Sequence, residues 1–319
     1  MTAYIVRRLI ISLFVLLIVT FIVFVCMRLL PGDPLMAYLS IQQLNELTPE
    51  DLERLRHEFG LDRPIIVQYV DWMKKVVFHF DLGVSILLRQ PVLQLILERL
   101  PITMYLGAVA LVIGSVLGLF FGVVCALRRG AWIDTVFTFL ANLGITMPAF
   151  WLGILLIYFL SLKLGWLPTC GYTSPLDNFW ISLKKAIMPV LCLAVAPMAG
   201  LTRQTRSSML EVIAQDYIRT AWAKGLREKM VVMRHALKNA LIPPVTFLGL
   251  FAAMVFGGSV IIETVFNIPG MGRLLVNAVL EQDYQIVQGG VILMGMIIIF
   301  LNLAVDISYA WLDPRIRYR

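Results

Sequence analysis

The chain has 319 residues, 60% hydrophobic and 15% charged, with 27 Lys and Arg against 20 Asp and Glu for a formal net charge of +7. A mean hydropathy of +0.84 lies far from the balance of a water-soluble domain. The basic surplus needs no nucleic-acid partner: membrane proteins keep such an excess on their inner loops, and no stretch interleaves basic with aromatic residues as single-strand binders do.

Continuous uncharged runs occur at Leu9–Met27, Leu100–Leu127, Thr135–Leu162, Ala186–Thr202, Asn239–Ile262 and Tyr284–Val305. Each is near or above the roughly 20 residues that cross about 30 Å of hydrocarbon, and none has the alternating ten-residue pattern of a membrane β-barrel. The expectation is an all-α membrane protein with six transmembrane helices. Arg7 and Arg8 precede the first run as in a signal peptide. That run is longer than a cleaved apolar region, and Arg28–Asp33 offers no small-x-small cleavage site, so it reads as a mature helix. Cys26 follows Phe24 and Val25 rather than small residues, against a lipoprotein anchor. The fourth run is the weakest, with Pro189 and Pro197, although Ser207 and Ser208 let it continue past Arg203 and Arg206.

Lysine and arginine set the orientation. With the N-terminus inside, the inner segments carry Arg7 and Arg8, Arg128 and Arg129, the basic stretch Arg203–Lys238, and Arg315, Arg317 and Arg319. The short outer loops hold only Lys163, Lys184, Lys185 and Arg273. Both termini are expected in the cytoplasm of a bacterial-type inner membrane. Residues 1–30 then form the N-terminus and first span, 31–99 an outer helical loop, 100–310 a five-helix core with its cytoplasmic loop 203–243, and 311–319 a tail.

In the outer loop, Thr48-Pro-Glu-Asp51 reads as a helix start and Gly60 as its stop. An apolar-patterned stretch from Ile65 to Phe80 ends at Asp81-Leu-Gly83, and a third leads from Pro91 to Pro101. A segment of about 70 residues with so little core is expected to cap the helices rather than stand as a free domain.

The basic stretch between spans four and five contains Asp216-Tyr-Ile-Arg-Thr-Ala-Trp-Ala-Lys-Gly225, which reads as a short helix over 217–224. Asp216 is placed to cap the first N–H groups, Lys224 to meet the negative end of the dipole, and Gly225 to take the left-handed position beyond the helix. A rod of roughly 12 Å is unexpected where a few polar residues would connect two spans. Its presence points to something outside the membrane that holds it.

Chemistry is sparse. Cys26, Cys125, Cys170 and Cys192 lack C-x-x-C spacing, and His57, His79 and His235 lie on different segments without ligand spacing. No phosphate-binding loop and no nucleophile elbow occurs, so no catalytic residue, metal or bound cofactor is expected on this chain. Arg28, Glu263 and Asp306 fall near span ends, where charged groups anchor at the interface. Deeper polar groups are Asn142 and Thr146 in span three, Ser259 in span five and Asn302 in span six, the candidates for a pathway. No chain of carboxylates suits a proton or sodium relay, so the driving energy is expected from another subunit.

The stretch Asp216 to Leu226, continuing from Arg234 to Pro243, resembles the EAA loop of ABC importer membrane subunits. More narrowly, the chain is similar to the first, "B"-type permease subunit of the dipeptide/oligopeptide/nickel family. The likeness runs through Arg7-Arg8, Leu30-Pro-Gly-Asp-Pro34, Gly60-Leu-Asp-Arg-Pro64, Phe80-Asp-Leu-Gly-Val-Ser85, Arg203–Glu211, Phe266–Leu274 and Asp313-Pro-Arg315. Anchored on Gly225, the EAA pattern places its second Ala on Ala221 and its Leu on Leu237. Arg219 replaces the Glu, Thr220 the first Ala, His235 the Ile and Lys238 the Pro, while Ile242-Pro243 arrive later. Trp222 stands where the subfamily carries a basic residue.

The resemblance implies the fold of a type I importer permease. It implies as partners a second homologous permease subunit, two ATP-binding subunits that hold the ATP and Mg, a solute-binding protein outside, and the lipid bilayer. Asp216, Tyr217, Arg219, Thr220, Ala221, Lys224 and Gly225 would then couple the chain to an ATPase, the helix sitting in its groove as a ball sits in a socket. Asn267, Pro269, Gly270, Gly272 and Arg273 form a tight outer turn that, with the first loop, would dock the binding protein. Peptides are the expected cargo. A nickel or metallophore importer of the same family, and a homo-oligomeric channel, remain as alternatives.

Overall fold

The computed structural model describes the backbone of residues 2–29, 50, 53, 54, 57 and 62–312, and their side chains except for 2–5 and 305–312. The helix start at Thr48–Asp51, apart from Glu50, the stop at Gly60, the Leu30–Pro34 and Asp313–Arg315 motifs and the Asp306 side chain lie outside the described residues. Among those described, the chain is helical, with only an isolated antiparallel bridge between Val84 and Pro91.

In chain order the helices are α1 (Thr2–Leu29), α2 (Ile65–His79), α3 (Val92–Leu127), α4 (Trp132–Thr146), α5 (Ala149–Lys163) and α6 (Phe179–Ile213). They continue with α7 (Asp216–Ala223), α8 (Glu228–Met230, a π-helical turn Val231–Ala236, then Leu237–Ala240), α9 (Ile242–Val265), α10 (Met271–Leu280) and α11 (Tyr284–Leu312). Among the described residues, five are long and apolar enough to cross a membrane, and the bent pair α4–α5 makes up to a sixth.

That pair corrects the third run. Thr135–Leu162 is not one rod but two helices meeting at 106°. Pro148 is the cause: its ring forces Met147 to the extended region (φ −78°, ψ 123°), which ends α4, and Pro148 then precedes the first residue of α5. The fourth run is longer than its apolar stretch. Asn178 caps α6 by accepting from the Ile181 N–H at 3.1 Å, and the helix carries Pro189 and Pro197 inside it as far as Ile213. The basic stretch expected to begin as a loop at Arg203 is therefore helical for its first eleven residues, 203–213. Helix α10 was not expected, because its apolar residues are too few to read as a span.

Contacts divide the described residues into two compact units, one from the stretches 102–269 and 300–312, the other from 2–101 and 270–299. In the first, α3 and α6 mesh at backbone distance. A Cβ added to Gly114 would lie 2.8 Å from Ala194 O, one on Gly118 2.7 Å from Met198 O, and one on Gly122 2.8 Å from Thr202 O. This Gly-x3-Gly-x3-Gly ridge is the small-residue packing that membrane helices use in place of a hydrophobic drive. In the second unit, the turn at 81–91 seats on the start of α11. Ser85 Oγ donates to Asp283 Oδ2 at 2.5 Å, while Asp283 Oδ1 accepts from the Ile286 N–H at 3.3 Å and so caps that helix.

Candidate functional site

Helix α7 has two unlike faces. Ile218 and Ala221, three residues apart, are buried on the underside. There they join Ala126 from α3, Met209 from α6, and Val231, Val232, Ala236 and Ala240 from α8 in one apolar cluster. Asp216, Tyr217, Arg219, Thr220, Trp222 and Lys224 are exposed on the other side. Arg219 Nη1 lies 3.6 Å from Asp216 Oδ1, a solvated pair that adds little energy. Asn239 Nδ2 donates to Tyr217 Oη at 2.9 Å and ties the start of α7 to α8.

The ends of α7 differ by one residue from the sequence reading. Gln215, not Asp216, is the N-cap, and no side chain caps the helix. Asp216 is the first helical residue, so its carboxylate acts on the dipole rather than as a cap. Lys224 is the C-cap, just past the last helical turn. Gly225 does take the left-handed region, at φ +77°. The Gly225 N–H donates to Trp222 O at 2.9 Å and the Leu226 N–H to Ala221 O at 3.4 Å, the pair of bonds of a Schellman stop. Leu226 then folds back on the apolar cluster under the helix.

The helix that leads into α7 is fixed by an ion pair absent from the sequence reading, between the buried Asp134 and the half-buried Arg206. Arg206 Nε donates to Asp134 Oδ1 at 2.6 Å and Arg206 Nη2 to Asp134 Oδ2 at 2.8 Å. The Gly130 N–H (3.0 Å) and Thr138 Oγ1 (3.3 Å) complete the carboxylate's partners. This two-pronged fork fixes orientation as well as distance. It joins the first turn of α4 to α6, seven residues before α6 ends at Ile213.

The pathway candidates fall in different settings. Asn142 and Thr146 are exposed on the last turns of α4, beside the break, and Thr146 Oγ1 donates back to Asn142 O and Leu143 O at 3.1 Å. Ser259 is fully buried and its hydroxyl donates to Phe256 O at 2.8 Å, so it serves helix packing in this arrangement. Asn302 is half-buried. Glu263 is not an interfacial anchor: it is buried and accepts from Thr103 Oγ1 at 2.6 Å. Arg28 stacks over the Phe24 and Tyr284 rings at 5.3 and 5.8 Å.

In the outer turn, the left-handed residue is Asn267 (φ +52°) rather than a glycine. Pro269 is half-buried, Gly270 precedes α10 with extended backbone, and Gly272 and Arg273 lie within that helix. Among the described residues, no three His, Cys, Asp or Glu side chains group as a metal site would need. All four cysteines are free thiols.

Long apolar helices, one pair of them sharply bent, and a short amphipathic helix between α6 and α8 are features of a multi-pass membrane subunit. The fold agrees with a chain of the MetNI methionine ABC transporter solved in inward-facing conformations. The TM-score is 0.54 at 18% identity, covering 69% of this chain and 97% of that one. Residues 118–318 match the family described as the binding-protein-dependent transport system inner membrane component, and residues 1–107 the N-terminal family of such membrane components. The chain belongs to this family of multi-pass transport subunits. A putative peptide transport system permease protein of Brucella abortus (strain 2308) is 45% identical over 318 residues, covering 100% of both chains. The oligopeptide transport system permease protein AppB of Bacillus subtilis (strain 168) is 40% identical over 321 residues, again with 100% of each covered.

Proposed function

We propose that this chain forms one half of the membrane pathway of an ATP-driven peptide importer. A second homologous permease subunit supplies the other half, two ATPase subunits hold ATP and Mg, and an extracytoplasmic binding protein delivers the cargo. Full-length likeness to proteins named as peptide permeases supports the cargo class. In this reading both termini are cytoplasmic, and α7 is the rod on which the ATPase acts.

The two-faced geometry of α7 carries the coupling role. Its buried side makes it part of the bundle, so a push or pull on its exposed side reaches α3, α6 and α8 through one packed cluster. The exposed Asp216, Arg219 and Lys224 supply the charge that a protein socket reads, with Tyr217 as its apolar contact. The Asp134–Arg206 fork keeps α6 and α4 moving together as α7 shifts. Asn142 and Thr146 offer polar groups at the break in the third span, and the Asn267–Arg273 turn serves as a binding-protein contact.

The test is labelled-peptide uptake by the four-subunit complex in vesicles with its binding protein, alongside ATP hydrolysis. Gly225→Asp sets a negative charge in open space just past the negative end of the α7 dipole, on the surface the socket would read. The expected result is loss of uptake and of binding-protein-stimulated hydrolysis with membrane insertion intact. Unchanged uptake in that variant removes the coupling role.

A further inference from the structure

Helix α2 rests on span one, and hydrogen bonds fix how deep that contact lies. Tyr69 Oη donates to Leu17 O at 3.2 Å and lies 2.9 Å from Thr20 Oγ1. Leu17 is near the midpoint of the apolar stretch Val6–Leu29. The Tyr69 ring meets Phe21 at 5.1 Å and Phe24 at 5.5 Å, and Trp72 meets Phe24 at 5.8 Å. At 1.5 Å per residue, Phe21 and Phe24 lie about 5 and 10 Å beyond the midpoint, inside a half-thickness of about 15 Å. A helix at that level is not clear of the bilayer.

Its side chains match that depth. Tyr69, Trp72 and Val76 turn toward span one and the cluster around it. Ile66, Val70, Met73 and Val77 follow at helical spacing on the next face. That face is uncovered: Ile66 is 65% exposed, Val70 41% and Val77 56%. An open groove of about 190 Å³, lined by Tyr69, Val70, Met73, Lys74, Val77 and Phe78, runs along it. Span one beside it is equally bare, with Phe14 63% exposed. The remaining side carries Asp71, paired with Arg63 at 3.2 Å and Lys74 at 3.9 Å, together with Lys75.

We propose that α2 is an interfacial membrane helix, its Ile66, Val70, Met73 and Val77 stripe sunk among the acyl chains of the outer leaflet. Asp71, Lys74 and Lys75 then face the headgroups. The depth from the two aromatic levels agrees with the roughly 5–10 Å to which amphipathic helices enter the acyl boundary. Two long lysines on the polar side reach water with their stems along apolar surface. The outer segment is thus moored in lipid rather than held as a cap in water. This rests on span one crossing the membrane with Arg7 and Arg8 inside.

The experiment uses the assembled complex in phosphatidylethanolamine–phosphatidylglycerol nanodiscs, with Cys26, Cys125, Cys170 and Cys192 replaced by Ala. Val70→Cys, Val77→Cys, Lys75→Cys and Phe14→Cys variants each carry one environment-sensitive fluorophore. Nitroxide on the lipid acyl chain is expected to quench labels at 70 and 77 while iodide does not, and the order inverts at 75. Iodide quenching at 70 and 77 overturns the proposal, because the stripe then faces water. Quenching by neither also overturns it, because protein such as the second permease subunit then covers the stripe. Loss of acyl-chain quenching at 14 breaks the span-one reading instead, which separates the two failures.

Discussion

Helices α2 and α7 are both short, both amphipathic, and both seated by an apolar underside on a longer helix. They differ in what the free side shows. On α7 it is mostly polar, Asp216, Arg219, Thr220 and Lys224 beside Tyr217 and Trp222, whereas on α2 a second apolar stripe, Ile66, Val70 and Val77, adjoins the buried one. The underside tells only that a helix is docked. The free side tells what surrounds it, because a bare apolar stripe is costly in water and cheap in hydrocarbon, while charge is the reverse.

The largest effect that would sharpen this contrast comes from the joint beneath α7. Arg206→Met alone leaves the buried Asp134 carboxylate without its guanidinium and should cost about 3–5 kcal/mol. Yield and thermal melting of the complex in detergent would show it. Asp134→Leu with Arg206→Met should restore most of that stability yet leave uptake impaired relative to hydrolysis. If the double variant transports normally, the fork contributes only packing.

Next comes the underside itself. Ile218→Ala empties a fully buried site and should cost about 2–5 kcal/mol, loosening α7 from α8. Hydrogen–deuterium exchange of the α7 amides would report that loosening as faster exchange than in the parent complex. A smaller change is Gly225→Ala: nothing lies within 4 Å of an added Cβ, so the cost is backbone alone, about 1–2 kcal/mol. Gly225→Asn should be milder, since Asn tolerates that conformation, and a lower stability for Asn than for Ala would contradict a purely conformational role.

The smallest effect belongs to the exposed face. Trp222→Arg puts the basic residue that the EAA-loop resemblance implies at a position 41% exposed, and uptake should change by less than about twofold. A large loss would mean that the indole itself is read by the partner.

How much of this the sequence foretold depends on distance along the chain. The apolar runs announced the spans, and Gly225 announced the stop of α7, because both signals are local. The break at Met147–Pro148 was visible as a proline, but continuous hydrophobicity on either side masked it. The ridge Gly114, Gly118 and Gly122 was equally legible in its spacing of four and marked the close-packing face of α3, though not its partner α6. The Asp134–Arg206 fork was not, since 72 residues separate its members and neither has a local signature. Asn267 in place of a glycine at the outer turn illustrates a second limit: several residue types reach the left-handed region when the turn demands it.

The glycine ridge also governs how the subunit can move. With carbonyls of one helix lodged in the notches of the other at three successive levels, neither α3 nor α6 has room to spin about its own axis or slip by a turn. The pair behaves as a single stiff lever arm, and whatever displaces its lower end displaces its upper end by a comparable amount. Filling one notch with a bulky side chain would not soften that lever; it would pry it apart.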